Sequence, residues 1–301
     1  MVPGTVFTYR AAVIIDARYK SLFIFPAVGA TVILFGVSAF AALLGGNEAT
    51  AWLGAAIASL PLPLVATYLM FRNVERTSEN LPLMLLFAAA GVMVAVWEQF
   101  IEGTSGWSPT GVALVSAGLL VIYVFWYSRF GRHHSVHLAV GSKLPAFSLK
   151  DADGKAFESG ALLGAPAVVL FYRGNWCPLC MAQISEIAAR YADIEALGIR
   201  VCLVSPQPDE LTRKLAARHG VPFKFLVDEG NRVAEELGIA VQNGVPVGMP
   251  GGYAPDTVLP TLVVTNDKGT ILFSDQTDNY RVRPEPDVFL AILRRAGVIT
   301  S

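Results

Sequence analysis

Four stretches of this chain carry no charged side chain: residues 21–47, 49–71, 80–97 and 103–128. A helix needs roughly 18–20 apolar residues to cross the hydrocarbon core of a bilayer. Four such runs within the first 130 residues constrain that part of the chain to an all-α domain of four transmembrane helices, about 21–45, 50–71, 80–98 and 108–128. Pro26, Pro61, Pro63 and Pro82 fall within or at the ends of these runs. Membrane helices tolerate proline where neighbouring groups satisfy the freed backbone. Trp52, Trp97, Trp107, Trp126 and Tyr127 sit near the run ends, as an interfacial aromatic belt does.

Composition changes sharply after residue 130. Of the 47 Lys, Arg, Asp and Glu residues, 12 precede that point and 35 follow it, together with all four histidines and all three cysteines. The overall charged fraction of 16% therefore averages a membrane-like part and a soluble globular part. A net charge of −1 provides no basic footprint for nucleic acid. The low charge also excludes a disordered chain.

Loop charge sets the expected orientation. Arg10, Arg18 and Lys20 precede the first run, Arg72 and Arg76 lie between the second and third, and Arg129 and Arg132 follow the fourth. The other two loops carry only Glu48, Glu98 and Glu102. The positive-inside rule then places both termini and the C-terminal domain in the cytoplasm, on a multi-pass protein of an inner or plasma membrane. A cleaved signal peptide ending near Ala39–Ala41 is the competing reading of the first run, but that run exceeds a signal h-region. Glu98 and Glu102 read as interface-exposed rather than as an ion site. Residues 1–130 hold no Cys or His, so this domain anchors or recruits and cannot relay disulfides.

Residues 131–140 read as a linker, with His133, His134 and His137 on a solvated tether rather than in a metal site. From 141 to 301, elements alternate. Residues 151–155 form a turn, 166–172 and 199–204 buried strands, and 180–196 and 208–219 helices. A short strand at 223–227, a helix at 230–237, a hairpin over 261–273 and a last helix at 286–296 follow. Strands alternating with helices imply an α/β domain with a central sheet and flanking helices.

The sharpest motif is the run from Phe171 to Cys180, a Cys-x-x-Cys at a strand-to-helix junction. Cys177 falls where free N–H groups and the helix dipole favour an anion, which raises its thiolate fraction. Arg173 adds positive charge nearby. Cys180 lies one turn on, placed to close a disulfide with Cys177. Three plainer readings compete: a structural disulfide, a zinc site and inert thiols. So small a disulfide loop constrains the unfolded chain little, and a zinc site lacks a second Cys pair. Cys202 sits mid-strand and reads as a packing residue.

These residues resemble the thioredoxin superfamily, and within it the peroxiredoxin-like branch of the alkyl hydroperoxide reductase/thiol-specific antioxidant group. The resemblance covers roughly 139–298. It rests on Gly141–Phe147, the 151–155 turn, the FYRGNWCPLC run with Trp176 and Pro178, Val204–Pro206, Leu226–Asp228, Leu259–Thr261 and the segment from Asp278 to Pro286 with Tyr280, Arg281 and Arg283. It implies a thioredoxin-like fold and a membrane-anchored, thiol-dependent oxidoreductase with catalytic Cys177 and Cys180. Arg173, Trp176, Pro178, Pro260 and Thr261 would line the substrate groove, with Pro260 as a cis-proline facing the active cysteine. The implied substrate is a peroxide. A protein disulfide is the alternative, and a non-enzymatic sensor or docking module a third. A soluble thioredoxin- or glutathione-type reductant would restore the dithiol; no flavin, nicotinamide or metal signature is visible. The chain departs from the peroxiredoxin pattern P-x-x-x-T-x-x-C: Leu170 and Gly174 stand at the Pro and Thr positions, and Leu259 near the expected arginine. The Gly- and Pro-rich stretch 240–260 reads either as a lid over the Cys-x-x-Cys that contributes to substrate choice or as a tolerated surface insertion.

Overall fold

The computed structural model describes residues 3–100 and 107–299. The chain divides into two compact units: residues 22–129 form one, and residues from 130 onward, with the chain before residue 22, form the other.

The first unit is helical. Its helices are α1 (Pro3–Leu44, which enters this unit at residue 22), α2 (Ala49–Ser59), α3 (Pro61–Phe71), α4 (Pro82–Phe100) and α5 (Trp107–Ile122). Four stretches among the described residues are long and apolar enough to cross a membrane: Asp16–Leu44, Ala49–Phe71, Pro82–Phe100 and Ser108–Tyr127. The expected second helix is divided at Leu60. Pro61 and Pro63 supply no N–H there, yet Leu60 keeps helical dihedrals, so the axis bends without a loop. The fourth helix ends in a π-turn over Tyr123–Tyr127, in which Ser128 N–H and Oγ both donate to Tyr123 O. Helices α2 and α4 cross backbone to backbone at two glycines. A Cβ on Gly54 would lie 2.7 Å from both Ala95 N and Gly91 O. Small residues permit this approach, the usual basis of helix association in lipid. Buried hydroxyls add cross-links: Ser59 Oγ and Ser116 Oγ are 2.8 Å apart, and Thr110 Oγ1 donates to Ala95 O. Glu98 is half-buried near the end of α4. Glu102 lies outside the described residues, as do the side chains of Arg10 and Trp107.

The second unit is built on a seven-stranded mixed sheet. Its strands are β1 (Ser148–Asp151), β2 (Ala156–Glu158), β3 (Ala167–Phe171), β4 (Arg200–Ser205), β5 (Lys224–Val227), β8 (Thr261–Thr265) and β9 (Ile271–Asp275), in the order β2-β1-β5-β4-β3-β8-β9. Strands β3, β4 and β5 are parallel; the flanking pairs are antiparallel. Strands β6 (Ala240–Val241) and β7 (Thr257–Val258) form a separate two-stranded ribbon. Helices α6 (Pro178–Ala189), α7 (Tyr191–Ala196), α8 (Asp209–His219), α9 (Arg232–Glu236) and α10 (Pro286–Arg295) flank the sheet. This is the thioredoxin-like arrangement. The expected helix over 180–196 is two helices, because Arg190 leaves helical dihedrals between them.

Alternate residues of a strand face opposite sides of a sheet. In β3, β4 and β8 both sides are buried, which explains their unbroken apolar runs. One face forms a core of Val169, Phe171, Cys202, Val204, Leu226 and Val263, with residues that pack on them. Cys202 is thus a core residue, as its setting in the sequence implies.

Candidate active site

The register pairs Phe171 of β3 with Val204 of β4 and with Thr261 of β8. The chain leaving β3, the turn after β4 and the entry to β8 therefore meet at one end of the sheet. Gly174 makes the exit possible. Its φ of +139° is accessible to glycine, and a Cβ there would meet the Trp176 ring at 2.9 Å. Cys177 N–H closes the turn onto Gly174 O at 3.1 Å. Cys177 is then the N-cap of α6, with Pro178 in the first turn. A proline there costs no hydrogen bond, since that N–H has no partner in any helix.

The Cys177 sulfur accepts the Cys180 N–H at 3.4 Å, so the thiol takes the place a capping oxygen usually fills. Both cysteines are free thiols, and both are buried, Cys177 to 2% exposure. Burial pushes the Cys177 thiol up, but the Cys180 hydrogen bond and the guanidinium charges of Arg173 and Arg283 outweigh it and bring it down to about 6. Cys180 moves the other way: burial, and its partnership with the Cys177 sulfur, hold it well above an ordinary thiol. One cysteine is poised as an anion and the other as its proton-bearing neighbour.

Arg173 is seated by three contacts. Its Nη2 donates to Gly244 O at 2.6 Å, and its guanidinium lies 4.5 Å from the Trp176 ring centre and 5.6 Å from that of Phe130. Its carbonyl accepts from Thr257 Oγ1 at 2.9 Å. Gly244 belongs to the loop between β6 and β7, and the Tyr253 ring of the same loop comes within 3.4 Å of where a Cβ on Gly174 would stand. The loop expected as a lid is thus fastened to the Arg173–Trp176 turn. Its roots pair as β6 and β7, which two-residue runs do not announce in a sequence.

Pro260 and Thr261 stand at the same sheet end but present a different geometry from that expected. The described residues contain no cis peptide bond, so Pro260 is trans. Leu259 N–H is bonded to Ile239 O, and the strand runs directly from Pro260 into β8, for which the lower-energy trans bond suffices. The guanidinium of Arg132 holds this turn, donating to Pro260 O at 2.9 Å and to Thr261 Oγ1 at 3.1 Å. Residues 131–138 of the stretch expected as a solvated linker, 131–140, are therefore seated against the domain, as is Phe130. His133, His134 and His137 are exposed, and the described residues include no metal-binding cluster of His, Cys, Asp and Glu.

Gln207 is a further site residue that the sequence did not single out. It is buried at the turn after β4. Its Oε1 accepts Asn175 N–H at 2.8 Å, and its Nε2 donates to Tyr172 OH at 3.0 Å and Thr212 Oγ1 at 3.1 Å. It ties the cysteine loop to β4 and α8. Arg283 also gains a role: it charges the thiol site and lines an open groove of about 450 Å³ with His134, Asp275 and Gln276.

Residues 140–274 match the AhpC/TSA family model. This part of the chain is similar to peroxiredoxin-like domains of the thioredoxin superfamily. Peroxiredoxin Q, chloroplastic, of Sedum lineare is 33% identical over 99 residues, 33% of this chain and 53% of that protein. The thiol-disulfide oxidoreductase ResA of Halalkalibacterium halodurans is 27% identical over 151 residues, 50% of this chain and 74% of that one. The chain spans about half the length of the peroxiredoxin Q relatives it matches. Among solved structures, a peroxidoxin (BcpB) of Mycobacterium tuberculosis superposes with a TM-score of 0.44 at 22% identity, covering 53% of this chain and 98% of that one. The matched stretch carries both thiols, Arg173 and the loop fastened to its turn, while Arg283 and Arg132 lie outside it.

Proposed function

We propose that this protein is a membrane-anchored thiol peroxidase whose catalytic dithiol is Cys177 and Cys180. The observation that supports it best is the opposite tuning of two buried thiols on one helical turn. The Cys177 thiolate attacks one oxygen of a hydroperoxide. The O–O bond breaks, the sulfur is oxidised to sulfenic acid, and the other oxygen leaves as an alkoxide that takes a proton. Cys180 then attacks the sulfenic sulfur, water leaves, and the Cys177–Cys180 disulfide forms. Two equivalents of a thioredoxin- or glutathione-type thiol return the pair to the reduced state.

Typical peroxiredoxins place a threonine where Gly174 stands and an arginine near Leu259. Here Arg173 and Arg283 offer the cationic environment from other positions. Trp176, Pro178, Pro260 and Thr261 shape the surroundings of the dithiol. Burial of Cys177 to 2% exposure favours a small oxidant over a folded protein carrying a disulfide. Disulfide reduction is the second reading, supported by the likeness to a thiol-disulfide oxidoreductase. The helical unit is proposed as the anchor. The basic residues Arg18, Lys20, Arg72, Arg76 and Arg129 support a cytoplasmic location for both termini.

The test is stopped-flow oxidation of the full-length protein in detergent by hydrogen peroxide, an organic hydroperoxide and a model disulfide. Hydroperoxides should react much faster than the disulfide. Cys177→Ser should abolish the reaction, and Cys180→Ser should leave a sulfenic acid that dimedone traps. Faster reaction with the disulfide would replace the peroxidase by a disulfide reductase.

A further inference from the structure

The family match begins at residue 140, yet the thiol site also draws on residues that precede it. Phe130 N–H donates to Asp278 O at 2.9 Å, and Arg132 N–H donates to Asp278 Oδ1 at 2.9 Å. Ser135 N–H donates to Gln276 Oε1 at 2.6 Å, and its hydroxyl donates to Leu237 O. Leu138 is buried in the core beside the sheet. Residues 130–138 are thus pinned at both ends, on the segment after β9 and on the end of α9.

Two side chains of this strap point at the machinery. The Phe130 ring lies beneath the Arg173 guanidinium, and a cation held over an aromatic face is attracted by the ring quadrupole. The Arg132 guanidinium forks onto Pro260 O and Thr261 Oγ1 and also reaches Gln276 Oε1. Holding it there has a cost. Burial draws the Arg132 guanidinium down to about 10, opposed by the carboxylates of Asp275 and Asp278 and reinforced by Arg283. A tether with no function at the site would leave such a side chain in solvent.

We propose that Phe130 and Arg132 are positioning residues of the dithiol site: Phe130 seats Arg173 beside Cys177, and Arg132 seats the Pro260–Thr261 turn and keeps the strap, and with it Phe130, in place. This inference rests on the dithiol reading of Cys177. It makes the chain immediately after the last apolar helix part of the catalytic apparatus. A soluble fragment starting at residue 139 or 140 would lack that part.

The readout is the pH dependence of iodoacetamide alkylation of Cys177. It is measured on reduced full-length protein in detergent, with the modified cysteine identified by peptide mass spectrometry. Alkylation follows thiolate whatever the physiological oxidant. The charged and titratable groups acting on Cys177 are Cys180, Arg173 and Arg283. Phe130→Leu keeps an apolar side chain and removes the ring. It is expected to raise the alkylation midpoint and lower the rate at pH 6 about two- to fivefold, the thiolate fraction lost when the midpoint rises by about half to one pH unit. Phe130→Tyr retains the aromatic face and should match the native profile. Arg132→Lys keeps the charge and loses the fork, and should shift the profile the same way by about twofold. Val136→Ser, on the exposed side of the strap, should change nothing. A native profile in Phe130→Leu, or a Phe130→Tyr profile shifted as far as Phe130→Leu, overturns the inference. Should Phe130→Leu not fold, a native profile in Arg132→Lys does so. If native Cys177 itself alkylates no faster at pH 6 than an ordinary thiol, the dithiol reading fails first and the positioning role with it.

Discussion

Replacing Gln207 by leucine tests how the cysteine loop is held. Gln207 is 2% exposed and makes three side-chain hydrogen bonds, to Asn175 N–H, Tyr172 OH and Thr212 Oγ1. Leucine fills similar volume and offers none of them. The Tyr172 and Thr212 hydroxyls, which both meet Gln207 Nε2, are rotors that can turn toward other partners. The Asn175 amide cannot turn, being fixed in the backbone of the loop. An unsatisfied buried N–H costs roughly 1–3 kcal/mol. Taking about 2 kcal/mol, and about 2–4 °C per kcal/mol for a domain of this size, the melting temperature should fall by about 4–8 °C. Asn175 is two residues from Cys177, so the loosened turn should also weaken the Cys177 cap on α6. Alkylation at pH 6 should therefore slow as well. Scanning fluorimetry of the full-length protein in detergent, followed by iodoacetamide kinetics, gives both numbers. Gln207→Glu keeps the acceptor for Asn175 N–H and should recover much of the stability. A melting temperature within about 1 °C of native, with unchanged alkylation, would show that the loop is held by something other than Gln207.

Native Cys177 should alkylate with a midpoint near pH 6, the rate rising with pH as the thiol ionises and falling away below it. Arg283→Gln should move that midpoint upward by about one unit, since a neighbouring cation favours the thiolate; an unmoved midpoint would remove Arg283 from the site. Cys202 should resist alkylation in the folded protein at any pH below 9, because burial lifts its thiol to about 12, and Cys202→Ala should leave peroxide consumption unchanged. Gly91→Leu should separate α2 from α4, since a Cβ there collides with the backbone at Ala58 and Gly54. Its expected cost is about 1–3 kcal/mol or more, read as a lower melting temperature in detergent; a native value would show that these helices do not rely on that crossing.

The features legible in the sequence are those set by short-range chemistry. Runs of about 20 apolar residues announce helices long and apolar enough to cross a membrane whatever the bundle around them. An apolar β-branched run ending in FYRGNWCPLC places Cys177 at a helix N-terminus, because Pro178 suits the first turn and the strand before it is buried on both faces. Local reading blurred where tertiary packing chose between outcomes close in energy: the bend at Leu60, the π-turn at Tyr123, the break at Arg190 and the trans bond at Pro260. It could not reveal partners distant in the chain. Arg132 reads as one more juxtamembrane cation, and only folding sets it against Pro260, 128 residues later. Gln207 is one polar residue in a turn until β4 pairs with β3 and brings it to Asn175. Arg283 belongs to a late segment with no local sign that its charge falls on Cys177. The capping thiol was written in adjacent residues because a helix cap is made within one turn. The arginines and the glutamine that tune and hold it were decided by the sheet order, which gathers the ends of strands far apart in sequence.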